Sequence, residues 1–158
     1  MENLNAGIER PPSLTLERAT EKDVDEFLDL ERSVANLRTY SAVTDRGEAL
    51  AEIEGNILYL IREDDEIVGS VAYEMKAPDH AYISGLVIRP GSQGSGIGKA
   101  AMVQILEKLK GIPTIDLVTH PHNVRAIKLY ESLGFVIGEQ KENHFGDGEP
   151  RIVMTLKH

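Results

Sequence analysis

Between Arg89 and Lys99 the chain places glycines at positions 91, 94, 96 and 98. Backbone without Cβ atoms can approach a ligand closely and take up turns that other residues resist. Inside this run begins an apolar series at helical spacing, Ile97, Ala101, Met102, Ile105 and Leu109. The loop therefore opens a helix, whose first amides have no intrahelical acceptor and sit at the positive end of the dipole. Together these make a ready site for an anion such as a diphosphate.

Two better-known phosphate loops fit poorly. The G-x-x-x-x-G-K-[ST] pattern meets Gln93 where its first glycine belongs and Ala100 where its hydroxyl belongs. The dinucleotide pattern G-x-G-x-x-G fits Gly94 and Gly96 but meets Lys99 at its third glycine, although Asp116 lies about twenty residues on. A second group of interest is Asn123 with Tyr130. A phenol stays protonated at neutral pH and can still give its proton to a departing anion. Spacing alone reads Tyr130 equally well as a core aromatic beside Ile127, Leu129 and Leu133, and Asn123 as a helix N-cap. His120-Pro121-His122 has no cysteine or patterned carboxylate near it, so it reads as a turn and no metal is expected.

The elements that would position these groups are mostly well marked. Leu14 to Arg18 alternates as a strand, and Thr20 can cap a helix whose apolar side is Val24, Phe27, Leu28 and Leu30. The acidic run within that helix reads as a solvated face. Glu48 to Ile53 suits a helix ended by Gly55, although residues 34–55 are weakly patterned. Ile57 to Arg62 and Ile67 to Met75 form a hairpin across a polar turn, and Ala81 to Ile88 is a third strand. Gly85 inside that strand suggests a bulge. Beyond the long helix, Ile115 to Thr119 reads as a buried parallel strand. A helix from Val124 to Leu133 follows, closed by Gly134, and strands Phe135 to Glu142 and Arg151 to Leu156 flank the turn Gly146-Asp147-Gly148.

Composition narrows the possibilities. A length of 158 residues fits one α/β domain over 13–158, preceded by a flexible segment 1–12 that ends in Arg10-Pro11-Pro12. No cysteine is present, which excludes disulfides and a thiolate nucleophile and suits a cytoplasmic location. No run of about eighteen apolar residues occurs, so no membrane span is expected. Seventeen basic against twenty-six acidic side chains give a net charge of −9, which disfavours nucleic acid and favours a cationic partner.

The stretch Leu86-Val87-Ile88-Arg89-Pro90-Gly91-Ser92-Gln93-Gly94-Ser95-Gly96-Ile97-Gly98 resembles the coenzyme A signature of the GNAT superfamily of N-acetyltransferases, with its Q-x-x-G-x-G core at Gln93, Gly96 and Gly98. The family's second block is matched by Asn123, Ala126, Leu129, Tyr130, Gly134 and Phe135. The resemblance implies a mixed sheet of about seven strands, splayed between the fourth and fifth and flanked by about four helices. It implies acetyl-CoA as cosubstrate. Leu86, Val87 and Ile88 would hold the pantetheine arm through main-chain groups. Gln93, Gly94, Ser95, Gly96, Ile97, Gly98 and Lys99 would hold the diphosphate, with Asn123 and Ala126 beside the arm and Tyr130 as the acid at the sulfur. The implied reaction is direct acetyl transfer to a primary amine, which could be a protein N-terminus, a lysine, a polyamine or a small molecule. A non-catalytic acyl-CoA sensor is the alternative, because residues 81–85 lack the carboxylate often found there. Glu31, Glu74, His80 and Tyr82 are possible bases but read more simply as surface or packing residues. The segment from His144 to Glu149 resembles hairpins of N-terminal protein acetyltransferases, which favours a peptide acceptor, and homodimers are common in the family.

Overall fold

The computed structural model describes residues 13–158, so the expected flexible segment 1–12 lies outside the described residues. Seven strands form one sheet in the order β1-β2-β3-β4-β5-β7-β6. In chain order these are β1 (Leu14–Arg18), β2 (Ile57–Glu63), β3 (Glu66–Ala77), β4 (His80–Ile88), β5 (Thr114–Thr119), β6 (Val136–Lys141) and β7 (Arg151–Lys157). Helices α1 (Val24–Arg32) and α2 (Arg46–Gly55) precede β2, α3 (Ile97–Lys108) joins β4 to β5, and α4 (Val124–Ser132) follows β5. No described helix is long and apolar enough to cross a membrane.

Only β4 and β5 run parallel, the pairing that requires a crossover, and α3 provides it. That pairing is short: it extends from His80 opposite Thr114 to Ile83 opposite Leu117 and then stops. The expected bulge explains where. On β3, Ala72 pairs with Gly85 while Tyr73 pairs with Ile83, so Ser84 is the extra residue. A bulge bends its strand and increases the local twist. Beyond it β4 stays paired with β3 to Ile88 but leaves β5, which is paired with β7 throughout, from Thr114 opposite Lys157 to Thr119 opposite Ile152. The sheet is therefore splayed between its fourth and fifth strands.

Successive strand residues face opposite sides, so β2 and β3 supply two cores. Leu58, Leu60 and Ala72 pack with Phe27, Leu28, Ala49 and Ile53 of α1 and α2. Ile61 and Val71 join Ile83, Leu117 and the apolar side of α3, with Tyr130 and Phe135 at the α4 end. The two ends of α1 show why it stays fixed. Thr20 and Asp23 exchange bonds before it, with Thr20 N donating to Asp23 Oδ2 at 2.8 Å. At the other end Leu30 is packed with Val34 and Val87. The α1 face is solvated as expected except at Glu31, which is 2% exposed.

Candidate active site

Gly94 and Gly96 both take φ +84, a left-handed conformation that glycine adopts without a Cβ penalty. Gly96 is the N-cap of α3 and has no side chain to bond the helix amides. The first intrahelical bond runs from Ala100 N to Gly96 O at 3.0 Å, so the amides of Ile97, Gly98 and Lys99 lie ahead of it. Gln93 and Ser95 brace this loop: Gln93 Nε2 donates to Ile88 O at 3.1 Å and Ser95 Oγ to Ser92 O at 2.7 Å. The Ile97 side chain is buried in the core, so that residue offers only its amide. A Cβ at Gly98 would lie 3.4 Å from Leu129, which shows how closely α3 and α4 approach. A Cβ at Gly94 would lie 3.7 Å from a guanidinium nitrogen of Arg125. Arg125 brings positive charge to the cradle from α4, and no motif singled it out.

The edge of β4 leads into this cradle. Arg89 N donates to Val68 O at 2.8 Å, and alternation along an antiparallel ladder then pairs Val87 with Ser70 through hydrogen bonds. Leu86 and Ile88 therefore turn their main-chain groups away from β3, toward the gap left by β5. The Val87 main chain faces β3, and its side chain packs with Leu30 and Val34. Close contact also fixes this strand from behind. A Cβ at Gly69 would come within 2.2 Å of Val87 O, a constraint invisible in the spacing of the sequence.

The gap widens into a cavity of about 440 Å³ between β4, β5 and the α1–α2 segment. Tyr130 forms part of its wall, 7% exposed, with its ring edge toward Phe135 at 5.9 Å between centroids. Burial pushes its phenol far above the ordinary range, so it stays protonated. Its hydroxyl has no hydrogen-bond partner among the described residues, which is uncommon for a buried polar group. Asn123, on the same wall, caps α4 by accepting from Ala126 N at 3.3 Å, and its Nδ2 group has no partner among the described residues.

The opposite wall corrects one expectation. Glu31 is neither a solvated nor an apolar-packing residue: its Oε2 accepts from Tyr40 Oη at 2.9 Å and its Oε1 from Val43 N at 2.8 Å. It lines the cavity with Tyr40, Glu48 and Glu52. Desolvation raises the Glu31 carboxyl above its usual range, and Glu52 is raised for the same reason. Tyr82 also lines the cavity, and its phenol is raised chiefly by burial. On the bulge, Ser84 Oγ donates to Asn56 Oδ1 at 2.7 Å, and Asn56 Nδ2 donates to Glu52 Oε2 at 3.1 Å. Glu74 and His80 are engaged elsewhere, with Lys76 and with Asp116 respectively.

Next in sequence to the cavity residues Thr39, Thr119 and Asn123, side chains that sequence reasoning missed tie neighbouring segments together. His120 forms the expected turn, with Asn123 N donating to its carbonyl at 2.9 Å, but its ring is fully buried. His122 N donates to His120 Nδ1 at 2.9 Å, which assigns the ring proton to Nε2, 2.7 Å from Glu149 Oε1. Arg38 NH1 reaches the same Glu149 oxygen at 3.2 Å, while NH2 lies 3.1 Å from His122 Nδ1. Nearby, Arg151 is 2% exposed, bonded to Asp147 at 2.8 Å and set over the ring of Phe145. Among the described residues no group of three His, Cys, Asp or Glu side chains could hold a metal ion.

A protein-family model described as "Acetyltransferase (GNAT) family" matches residues 17–135. The chain belongs to this family. Over 83 residues it is 34% identical to the [ribosomal protein bS18]-alanine N-acetyltransferase of Escherichia coli, covering 49% of this chain and 56% of that protein. Over 86 residues it is 34% identical to a mycothiol acetyltransferase of Streptomyces avermitilis, covering 51% of this chain and 27% of that protein. The matched segments thus span about half or less of these curated relatives. A crystal structure of the E. coli S18-alanine enzyme matches with TM-score 0.76 at 21% identity, over 91% of this chain and 93% of the other. A PaiA N-acetyltransferase from Thermoplasma acidophilum, in complex with coenzyme A, matches with TM-score 0.73 at 19% identity, over 92% and 99%. At these identities the structural likeness establishes the GNAT fold.

Proposed function

We propose that this chain transfers an acetyl group from acetyl-CoA directly to a cationic primary amine, both molecules occupying the cleft together. The observation that carries this reading is the open edge of β4, which leaves β5 after Ile83 and runs into a helix start with free amides. Amides of Ile97, Gly98 and Lys99, with Arg125 beside them, suit a diphosphate. The outward main-chain groups of Leu86 and Ile88 suit the amides of a pantetheine arm, which would lie along β4 as an added strand.

Acetyl-CoA supplies an acetyl group already activated as a thioester. The chain's own residues do the rest. Leu86, two residues past the extra residue of the bulge, offers its N–H to the charge that develops on the carbonyl oxygen. Tyr130 holds a proton that burial keeps in place until the leaving sulfur can take it. Absence of cysteine supports direct attack by the amine over a thiol-borne acetyl-enzyme. Glu31, Glu48 and Glu52 on the cavity wall favour a cationic acceptor. The E. coli relative is named for acting on an alanine of a ribosomal protein, and the Streptomyces relative is named a mycothiol acetyltransferase, so an α-amine and a small-molecule amine are both starting points.

Calorimetry with acetyl-CoA, followed by thiol release against peptide N-termini, lysine, polyamines and amino-sugar amines, tests the proposal. Saturable binding with amine-dependent thiol release is expected. Tight binding with no release for any amine would favour an acyl-CoA sensor, and no binding would overturn both.

A further inference from the structure

The β4 segment 81–85 carries no carboxylate, yet an amine that is protonated in solution must lose a proton before it can attack. Resting on the acetyl-transfer reading, we propose that Glu31 accepts this proton through the hydroxyl of Tyr40. Glu31 is thus a positioning and proton-accepting residue supplied by α1, and Tyr40 is the group that meets the amine.

Three observations converge on this pair. Glu31 is 98% buried on the wall of the cavity, where a carboxylate is costly and is only partly offset by its hydrogen bonds. Its two oxygens are held by Tyr40 Oη and Val43 N, so the carboxylate is aimed rather than free. Tyr40 lines the same cavity as Tyr130, the buried phenol without a partner, and the two are close enough to interact electrostatically. The rival route fails on chemistry. Glu52 reaches the β4 bulge only through Asn56, and a carboxamide does not pass protons as a hydroxyl does, which gives one while accepting another. Glu52 is then suited to attract the ammonium, not to take its proton.

The step balances. Tyr40 accepts a proton from the ammonium at its oxygen as it hands its own to Glu31 Oε2. The freed nitrogen lone pair forms the C–N bond, the C–S bond breaks, and the sulfur takes the proton of Tyr130. The second amine proton replaces the one that Tyr130 gave, and Glu31 returns its proton to solvent as the product leaves. The titratable groups facing Glu31 are Tyr40, Glu52 from α2 and, beyond Tyr40, Tyr130 from α4; Glu48 and Tyr82 share the cavity. The cation on the same cavity wall is Arg151. The bonds from Val43 N and Tyr40 favour the Glu31 anion, but desolvation outweighs them and raises its carboxyl above the ordinary range.

The test compares wild type, Glu31→Gln, Tyr40→Phe and Glu52→Gln for kcat, acceptor KM and acetyl-CoA affinity across pH. Wild-type kcat/KM should fall on the acid side with an apparent pKa above the ordinary carboxylate range. E31Q and Y40F should lower kcat by about 10²-fold with acetyl-CoA affinity unchanged, and recover as pH rises and the amine deprotonates unaided. E52Q should instead raise acceptor KM and keep the acid limb. Glutamine can satisfy both partners, since its Oε1 accepts from Val43 N and its Nε2 donates to Tyr40. A carboxyl whose folded pKa is raised costs stability that accrues as pH rises from its ordinary pKa through the raised one and stays constant above it. E31Q should therefore raise Tm at pH 8, with the advantage shrinking as pH falls through the raised pKa and gone below the ordinary carboxylate pKa. An E31Q enzyme with unaltered kcat and acid limb overturns the proposal, as does a Tm lowered at every pH, which marks a brace for residues 40–43. Failure of wild type to release thiol with any amine would instead sink the acetyl-transfer reading. In that event the Tm comparison still decides whether Glu31 is a poised carboxyl or a brace.

Discussion

The two halves of the cleft are built by different means. The half from Leu86 to Lys99 works through main-chain geometry: a bulge, an unpaired edge, two left-handed glycines and a helix start. The half formed by Glu31, Tyr40, Glu52, Phe145 and Arg151 works through side chains from α1, α2, the segment between them, the β6–β7 loop and the start of β7. A carrier that always presents the same diphosphate and amides can be held by backbone. An acceptor must be selected by side chains, which can change without disturbing the sheet. The difference yields a clear expectation: damage to the first half should abolish carrier binding, and damage to the second should alter turnover or acceptor preference while the carrier still binds.

Gly96→Val should have the largest effect. It puts a β-branched side chain at φ +84, where an L-residue is strained by roughly 1–2 kcal/mol. It also fills the approach to the amides that start α3. Acetyl-CoA affinity by calorimetry should fall by about 10²-fold or more, a loss of roughly 2.7 kcal/mol, while circular dichroism retains the native helix content. Near-normal affinity would mean that the carrier is not gripped here.

Tyr130→Phe belongs to both halves, because the phenol closes the cavity from α4. Loss of an acid typically lowers kcat by about 10²-fold, and acetyl-CoA affinity should barely change. Its stability effect has the opposite sign. The hydroxyl is buried without a partner among the described residues, so its removal should stabilise the fold by about 1 kcal/mol in thermal unfolding. A variant that loses both activity and stability would place Tyr130 in the core as a packing residue.

The same contrast explains what the sequence could reveal. Glycines at 94, 96 and 98, the alternation in β4 and the Asn123–Tyr130 block act through local backbone rules, and local rules leave spacing behind. The parallel pairing of β4 and β5 also followed, because the crossover through α3 requires it. Glu31 gave no such signal: it sits in an acidic helix whose other carboxylates are solvated, and only its contact with Tyr40 and Val43, nine and twelve residues on, distinguishes it. The Arg38–Glu149 contact spans 111 residues and Gly69 meets Val87 across two strands, so neither could be read from periodicity. The direction of the Val87 main chain was illegible for a related reason: it depends on ladder phase, which is set only when Arg89 bonds Val68.

Asn123 separates a structural role from a binding one. Asn123→Ala removes the cap on Ala126 N and should cost about 1 kcal/mol, with weaker acetyl-CoA binding. Asn123→Asp keeps an acceptor for the cap and loses the Nδ2 donor. It should leave Tm near that of wild type yet weaken acetyl-CoA severalfold, and equal binding by the two proteins would confine Asn123 to capping.

The smallest effect should come from the tie between Arg38 and Glu149, beside the cavity residue Thr39. Arg38→Ala releases Glu149 from the α1–α2 segment but leaves His120 bonded to it, so the fold should survive with acetyl-CoA affinity unchanged. Acceptor KM should rise severalfold, because two mobile segments must now be ordered on binding. Acid should act the same way. The His120 bond, and then Arg38, hold the Glu149 carboxyl below its usual range. A depressed carboxyl pKa gives a contact that is fully present above the ordinary carboxylate range and lost as pH falls through the lowered value. In wild type the rise in acceptor KM should therefore begin only at pH values below that range, whereas Glu149→Gln should show the raised KM already at neutral pH. If R38A and E149Q leave acceptor KM at the wild-type value, the two segments meet without shaping the acceptor site, and the contrast between the halves narrows to Glu31, Tyr40 and Glu52.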